Sequence, residues 1–378
     1  FVMGLYLLAT LFSLSSCQQT IVKEQPKYIV DVQAHRGGMG LLPANTLEAM
    51  KNAVDLGVNT LEMDIVVTKD KKVILSHDKF FTEETTRPDG THVKKEDPRE
   101  YIWHMTYNEI SKYDVGLRQF PNFPEQKTIP TVKPLLSDVL TFIENYTIEK
   151  GIAPMKYNIE IKADPDWNGG LEGKDWPVYN EMVDICVEVL NSFDLGERLI
   201  VQSFDERALA YMHEKYPELH LAYLVGGGEV HWLENKEMDF ETILGNIGFV
   251  PEWFSPASIF VSKSCVDEAH RRGMKVVTWT VDNHKEMIRM IDAGVDAIIS
   301  NYPDRLLEVV KYHEQNFEMN NPISPMGVYI ADPTARVWED GKLYIYGSRD
   351  ESPKYYCSKN YHVMSTADLK NWTFHPYS

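Results

Sequence analysis

Short apolar segments alternate with amphipathic helical segments along most of this chain, and this alternation is the strongest constraint on its fold. The pattern runs from Tyr28 to about His313. It is typical of parallel strands joined by helices. Eight or so repeats favour an α/β fold of the (β/α)8 TIM-barrel type over an open sheet, and such barrels carry their chemistry at the carboxyl ends of the strands. The predicted strands span residues 28–35, 59–68, 72–78, 156–162, 198–204, 219–225, 257–262, 275–281 and 296–300.

The alternation is interrupted once and ends near residue 320. Residues 80–130 are rich in charge and contain several prolines, which predicts an excursion over the mouth of the barrel. Asn320-Asn321-Pro322 marks a boundary, beyond which strand patterns and turn signals replace the helical rhythm. We therefore predict a barrel domain over residues 28–314 and an incomplete all-β segment over residues 321–378.

The amino-terminal residues have the features of an export signal. VMGLYLLATLF is an apolar run of the length of a signal-peptide core and is too short to span a bilayer comfortably. It is followed by Leu14-Ser15-Ser16-Cys17, which resembles the lipobox of bacterial lipoproteins. We expect a signal peptide at 1–17, a lipid anchor on Cys17 and a tether at 18–27, so that the protein is an exported lipoprotein of the cell envelope. A buried first helix is the alternative.

The charge of the chain excludes one broad class of partners. A formal net charge of −18 opposes a nucleic-acid-binding surface, which needs a basic face. A small phosphorylated ligand is still compatible with this charge. A local cationic site or a bound metal ion dominates within a Debye length of about 8 Å.

Unusual polar residues are found where the predicted strands end. His35 and Arg36 end the first strand, His77 ends the third, and Trp279 lies in a later one. Two histidines at different strand ends supply a proton donor and acceptor near neutral pH, which general acid–base cleavage of a phosphodiester requires. The guanidinium group of Arg36 can bind a phosphate through two hydrogen bonds at once. Three other histidines lie in predicted loops or helices, without a polar neighbour at a strand end, and are interpreted as surface residues: His92, His104 and His213.

Two predicted strands carry charged residues at a spacing of two. Glu62 and Asp64 share one face of their strand, and Glu160 and Lys162 share one face of theirs. In a barrel these faces converge, which brings three carboxylates into one pocket. One carboxylate would then take up a proton unless a divalent cation is present, and an all-oxygen set suits Mg²⁺ or Ca²⁺ rather than Zn²⁺. The alternative is a set of salt bridges within the barrel.

These residues belong to a series of motifs, AHRG, PANT, LEMD, SHD, IEIK, VQSF and WTV, which in this order resemble the glycerophosphodiester phosphodiesterase family over Val30 to Leu307. The resemblance implies a TIM barrel that hydrolyses glycerophosphodiesters to glycerol 3-phosphate and an alcohol with a divalent metal ion. One departure is Ala44, where the family commonly has glutamate. The implied roles are metal ligation by Glu62, Asp64 and Glu160, acid–base catalysis by His35 and His77, phosphate binding by Arg36 and Lys162, and a glycerol-side wall at Trp279.

The carboxyl-terminal segment has a second resemblance. MGVYIADPTARVWEDGKLYIYGSRDES, followed by YHVMSTADLKNW, is similar to the opening blade of family 43 glycoside hydrolases, which are five-bladed propellers. In that comparison Asp332 falls where the family carries its general base. Because a propeller needs its later blades to bury the edges of the first, we interpret residues 321–378 as the start of a second enzyme that is inactive by itself.

Two further interpretations of the barrel remain. One is an inactive surface lipoprotein that binds carbohydrate or a protein partner, although the complete set of three carboxylates and two histidines favours activity. The other is a phosphodiesterase that acts on a lysophospholipid or a phosphorylated glycan. The start of a glycosidase after the barrel gives this option of another phosphodiester substrate some support.

Overall fold

The computed structural model describes residues 29–163, 170–226, 238–316, 330–349, 361–367 and 372–375. The predicted signal peptide, the tether and Cys17 lie outside these ranges.

Eight parallel strands form a closed barrel, as the sequence predicts. β1 pairs with β9 on one side and with β2 on the other, so that Gln33 lies opposite both Ile299 and Thr60. This double pairing of β1 leaves the barrel without a free edge. The strands of the sheet, including the antiparallel β3, are β1 (Asp31–Ala34), β2 (Thr60–Val67), β3 (Val73–Leu75), β4 (Lys156–Ile161), β5 (Leu199–Ser203), β6 (His220–Val225), β7 (Trp253–Pro256), β8 (Lys275–Thr278) and β9 (Ala297–Ser300).

Two of the predicted strands differ in the structure. The segment 72–78 gives β3, which runs antiparallel to β2 and is not one of the barrel strands. The connection 68–72 is too short for the crossover that a parallel pair needs. The prediction of a strand at 257–262 is wrong, because Ser258–Phe260 form a 3₁₀ turn and the barrel strand is β7, just before it. Pro256 obscured β7, since a proline argues against a central strand.

Helices connect the barrel strands. Side chains of Thr46, Asp205 and Asn283 cap three of them by accepting hydrogen bonds from first-turn N–H groups. The hydrophobic core of the barrel draws its buried residues from between Val30 and Val310. None of the helices in the described ranges combines the length and apolar character needed to cross a membrane. The helices are α1 (Leu47–Leu56), α2 (Tyr107–Ile110), α3 (Leu136–Lys150), α4 (Tyr179–Leu190), α5 (Glu206–Lys215), α6 (Phe240–Ile247), α7 (Lys263–Arg271), α8 (His284–Ala293) and α9 (Pro303–Asn316).

Residues 80–130 form an excursion that docks on the loop after β1. The Gln126 side-chain amide donates to the carbonyl oxygen of Met39 at 2.7 Å, and the Lys127 N–H donates to the carbonyl oxygen of Leu41 at 2.9 Å. The excursion therefore sits over the side of the barrel mouth where β1 ends.

The carboxyl-terminal residues form a separate antiparallel sheet. Its order is β10-β11-β12-β13, so each strand pairs with the next one in the chain. This agrees with the predicted all-β segment, while the propeller remains a prediction. The strands are β10 (Ile330–Val337), β11 (Leu343–Arg349), β12 (Tyr361–Thr366) and β13 (Thr373–His375).

A chain of residues 29–316 should fold without the rest. Its strands close on themselves and its core is drawn from these residues alone. We expect a melting temperature within about 4 °C of that of the full chain's barrel, measured by circular dichroism. As a matched core variant, Leu61→Ala in the shorter chain should lower the free energy of unfolding by about 2–5 kcal/mol, because this side chain is fully buried. Loss of cooperative unfolding in the unsubstituted shorter chain would contradict the predicted domain boundary.

Candidate active site

The turn after β1 directs Arg36 into the barrel mouth. His35, Arg36 and Gly37 form a 3₁₀ turn in which Arg36 has a φ of 51° and Gly37 a φ of 80°. A Cβ on Gly37 would lie 2.8 Å from Ala49 of α1, so only glycine permits this close approach. The backbone and the side chain of Arg36 contact two different carboxylates. Its N–H donates to Glu62 at 2.8 Å, and its Nε lies 3.1 Å from Asp64.

Three carboxylates meet beside this turn. Glu62 and Asp64 lie on β2, and Glu160 lies on β4 directly opposite Asp64 in the strand register. Each offers an oxygen within 4.8 Å of the others, and the residues are only 2%, 1% and 5% exposed. The convergence expected from the spacing of two along each strand is thus present.

Ion pairs neutralise the three carboxylates only in part. Lys162 donates to Glu160 at 2.6 Å, and Arg36 pairs with Asp64, so both the metal site and the salt bridges considered for the sequence have support. Among the described residues, these two cations face three carboxyl groups. Oδ1 of Asp64 is buried and has no hydrogen-bond partner among the described residues. Clustered oxygen donors with an unused lone pair fit a hard divalent cation such as Mg²⁺ or Ca²⁺.

The charge of Arg36 beside Asp64 drives the pKa values of the Glu62 and Asp64 carboxyl groups apart. For Glu62, burial and then the charge of Asp64 raise the pKa well above its usual range. For Asp64, burial also acts to raise the pKa. Neighbouring groups, first among them the positive charge of Arg36, outweigh this effect, so the pKa of Asp64 is lowered. Of these two groups, Glu62 is consequently the one whose ionisation a bound cation would favour more.

Amide side chains hold the carboxylates in place. Asn45 donates to Oδ2 of Asp64 at 2.8 Å and accepts from the Asp64 N–H at 3.1 Å. Gln202 on β5 donates to Glu62 at 3.0 Å. Asn45 has a φ of 56°, a conformation that asparagine tolerates better than most residues. The neighbouring Thr46 caps α1, whereas Asn45 orients Asp64.

A hydrogen-bonded chain fixes His35. Asp282 accepts from the backbone N–H of Asn301 at 2.9 Å and from its side-chain amide at 2.7 Å. The side-chain oxygen of Asn301 therefore faces His35, and we assign the imidazole proton to Nδ1, which donates to it at 2.5 Å. This leaves Nε2 of His35 as the basic nitrogen. Burial and then the charge of Arg36 lower the pKa of His35 to about 3, so the ring is neutral.

His77 lies at the end of β3, beside the same charges. Its Nδ1 is 3.4 Å from Asp78, and its side chain is 36% exposed, which leaves it open to a ligand. Burial and then the charges of Arg36 and Lys162 lower its pKa. Because β3 pairs antiparallel with β2, the residues that follow β3 lie beside β2. This position brings His77, the second imidazole, near the carboxylates.

Trp279 lies at the end of β8 on another side of the mouth. Its indole N–H donates to the carbonyl oxygen of Ser255 at 2.9 Å, and its ring meets Phe204 edge to face with centroids 5.4 Å apart. Nζ of Lys162 lies 5.5 Å from the Phe204 ring. Together Phe204 and Trp279 form an aromatic wall next to Lys162.

Several supporting residues were not assigned roles from the sequence. Asn301 directly follows β9, so the same rule of polar residues at strand ends could have found it. Asp282 directly follows the predicted strand 275–281 and could have been noted by the same rule, but its contact with Asn301 depends on the packing of neighbouring loops. His92, His104 and His213 are exposed, as expected.

Comparisons with known proteins agree on one family. The model of the glycerophosphoryl diester phosphodiesterase family matches residues 35–305. A glycerophosphodiester phosphodiesterase of Caldanaerobacter subterraneus subsp. tengcongensis is 28% identical over 281 residues, 74% of this chain and 97% of the relative. A structure from Silicibacter pomeroyi described as a glycerophosphoryl diester phosphodiesterase is 26% identical with a TM-score of 0.65, over 77% of this chain and 96% of that one.

Another similar structure was solved with a bound ligand. An Oleispira antarctica phosphodiesterase in complex with the product sn-glycerol-3-phosphate is 21% identical with a TM-score of 0.55, over 74% of this chain and 96% of that one. At this level of identity the similarity concerns the fold.

The carboxylate cluster should bind a divalent cation. We expect isothermal titration calorimetry to detect Mg²⁺ or Ca²⁺ binding to the unsubstituted protein, and Asp64→Asn to weaken it by at least about tenfold, since carboxylate charge sets affinity. A cation at 100 times its Kd should also stabilise the fold by about 2.7 kcal/mol. Glu181→Gln, at an exposed carboxylate on α4, is the control and should bind normally. Equal binding by both variants would place the cation elsewhere.

Proposed function

The chain belongs to the glycerophosphoryl diester phosphodiesterase family and is thus a phosphoric diester hydrolase, and we propose that it releases glycerol 3-phosphate from glycerophosphodiesters by metal-dependent acid–base catalysis. The observation that carries this proposal is the meeting of Glu62, Asp64 and Glu160 with two imidazoles at one end of the barrel. The glycerol 3-phosphate complex of the similar Oleispira fold is consistent with the product.

Arg36 and Lys162 are proposed to bind the phosphodiester. Both cations lie at the carboxylate cluster, Arg36 against Asp64 and Lys162 against Glu160. Their side chains are already oriented by these contacts, so they stabilise negative charge on the phosphate oxygens without reorganising during the reaction. A divalent ion held by the three carboxylates would supply Lewis-acid stabilisation of the same charge.

His35 and His77 are proposed to move the protons. One imidazole accepts a proton from the nucleophile, which is water or a neighbouring glycerol hydroxyl, as the new P–O bond forms. The other, in its protonated imidazolium form, donates its proton to the leaving alcohol oxygen as the old P–O bond breaks, and the water that enters returns a proton to it at the end of the cycle. If the glycerol hydroxyl attacks, the product is a cyclic phosphate, which a water molecule then opens to glycerol 3-phosphate. Asn301 assists by holding the His35 proton on Nδ1, so that Nε2 is available to the reaction.

The aromatic wall is proposed to line the glycerol side of the substrate. Phe204 and Trp279 offer apolar faces for the glycerol carbons, next to the phosphate-binding amine of Lys162. An inactive binding protein would not require two imidazoles beside a carboxylate cluster. Cleavage of a lysophospholipid or a phosphorylated glycan would use the same groups, so these substrates belong in the assay panel.

Replacing either histidine should abolish most of the activity. We expect His35→Ala and His77→Ala to lower kcat for glycerol 3-phosphate release by roughly 10²–10⁴-fold while leaving cation binding unchanged, because neither is proposed as a ligand. A chelator should abolish activity, and added cation should restore it. His92→Ala, an exposed histidine of the excursion, is the control. Carbohydrate binding without any hydrolysis by the unsubstituted protein would instead support the inactive lipoprotein.

Export and anchoring through Cys17 are part of the proposal. They are supported by the apolar run and the LSSC sequence. When the complete gene is expressed in a bacterial host grown with labelled palmitate, the protein should carry the label in the membrane fraction. Cys17→Ser should remove the label, whereas Cys265→Ser, at a buried thiol, should retain it. Label that persists in Cys17→Ser would contradict lipidation at this residue.

For residues 321–378 we propose the opening blade of a family 43-like propeller. The up-and-down antiparallel order of β10 to β13 is the order of strands within a propeller blade. Asp332 lies on β10, at the position proposed for a general base.

A further inference from the structure

A cavity of about 350 Å³ adjoins the proposed phosphate site. Arg36 and His77 line it, so it opens directly beside the reacting groups. Its remaining walls come from the loop after β1, the end of β3, the excursion and Lys133. A phosphodiester bound by Arg36 would extend one of its two ester arms into this space.

The aromatic wall and the cavity lie at different parts of the mouth. The wall is formed by residues that follow β5 and β8, whereas the cavity is formed around the ends of β1 and β3. When the glycerol arm of the phosphodiester binds beside Trp279, its other ester arm, which becomes the leaving alcohol, would occupy the cavity.

Lys133 brings an incompletely satisfied ammonium group to the cavity. Its Nζ donates to the hydroxyl oxygen of Ser76 at 2.9 Å, and that hydroxyl donates in turn to the carbonyl oxygen of Asp78 at 2.6 Å. This is the sole hydrogen bond of Lys133 within the described residues, where no carboxylate forms a salt bridge with it. Burial lowers the pKa of Lys133, which reflects its poor solvation. Unused donors in such a setting call for an acceptor on a ligand.

Acceptor groups line the same space. Asp78 and the half-buried Glu84 both face the cavity, and their negative charges act on Lys133. Donors and acceptors side by side match hydroxyl groups, which donate and accept at once. A quaternary ammonium group can neither donate nor accept a hydrogen bond, so it would leave the ammonium group of Lys133 without an acceptor on the ligand.

We propose that the cavity receives the leaving alcohol of the glycerophosphodiester and selects a small polyhydroxylated alcohol, with Lys133 and Glu84 as the specificity-determining residues. The inference rests on the proposed function, whose catalytic groups lie next to the cavity.

The test compares two substrates that differ only in the alcohol. For the unsubstituted enzyme with its metal ion, kcat/KM for glycerophosphoglycerol should exceed that for glycerophosphocholine by at least about tenfold. Lys133→Met should lower kcat/KM for glycerophosphoglycerol by roughly 10–100-fold and leave that for glycerophosphocholine within about threefold. Glu84→Gln should act in the same direction. The ratio of the two constants does not depend on the fraction of folded enzyme, and Lys95→Met, at an exposed lysine of the excursion, is the matched control.

Each outcome has a separate meaning. Equal kcat/KM values in the unsubstituted enzyme, or a preference for glycerophosphocholine, would overturn the selection of a polyol but leave the phosphodiesterase function intact. An equal loss on both substrates in Lys133→Met would overturn the assignment of the cavity, because Lys133 would then bind a part common to both substrates. Hydrolysis of neither substrate, nor of any other diester in the assay panel, would overturn the proposed function and this inference together.

Discussion

The crowding of three buried carboxylates is the constraint around which the mouth of this barrel is organised. Left alone, such groups repel one another and one of them takes up a proton. The pKa values of Glu62 and Asp64 move in opposite directions because Arg36 pairs with Asp64 while burial dominates at Glu62. A divalent cation relieves the same repulsion. The proposed metal site and the advantage of binding a cation there would therefore have a single cause.

Rigid elements hold this unfavourable arrangement in place. The strand register sets Asp64 opposite Glu160, and closure of the barrel prevents the two strands from separating. Two residues in left-handed backbone conformations, Arg36 and Asn45, bring their side chains to Asp64. Each such conformation costs of order 1–3 kcal/mol when the residue is not glycine. The stability of the closed barrel offsets the free-energy cost of these two backbone conformations.

The excursion is proposed to add selectivity to the chemistry proposed for the barrel mouth. The barrel strands bring the carboxylates and Lys162 together, whereas His77, Glu84 and Lys133 come from or beside the additional segment that follows β2. Changes in that segment can alter the shape and charge of the cavity without disturbing the carboxylates. This division is common in TIM barrels, where loops vary and strand ends carry the reactive groups.

The sequence by itself determined the alternation of strands and helices, the barrel it implies, and the shared face of Glu62 with Asp64, because these follow from local periodicity. It missed β7, where Pro256 hides a strand, and it did not show that β3 turns back antiparallel. The tertiary structure alone decided that Asp282 fixes Asn301 and through it the proton of His35, and that Lys133 meets Ser76. These contacts join residues distant in sequence, and their geometry arises only when the loops pack on the closed barrel.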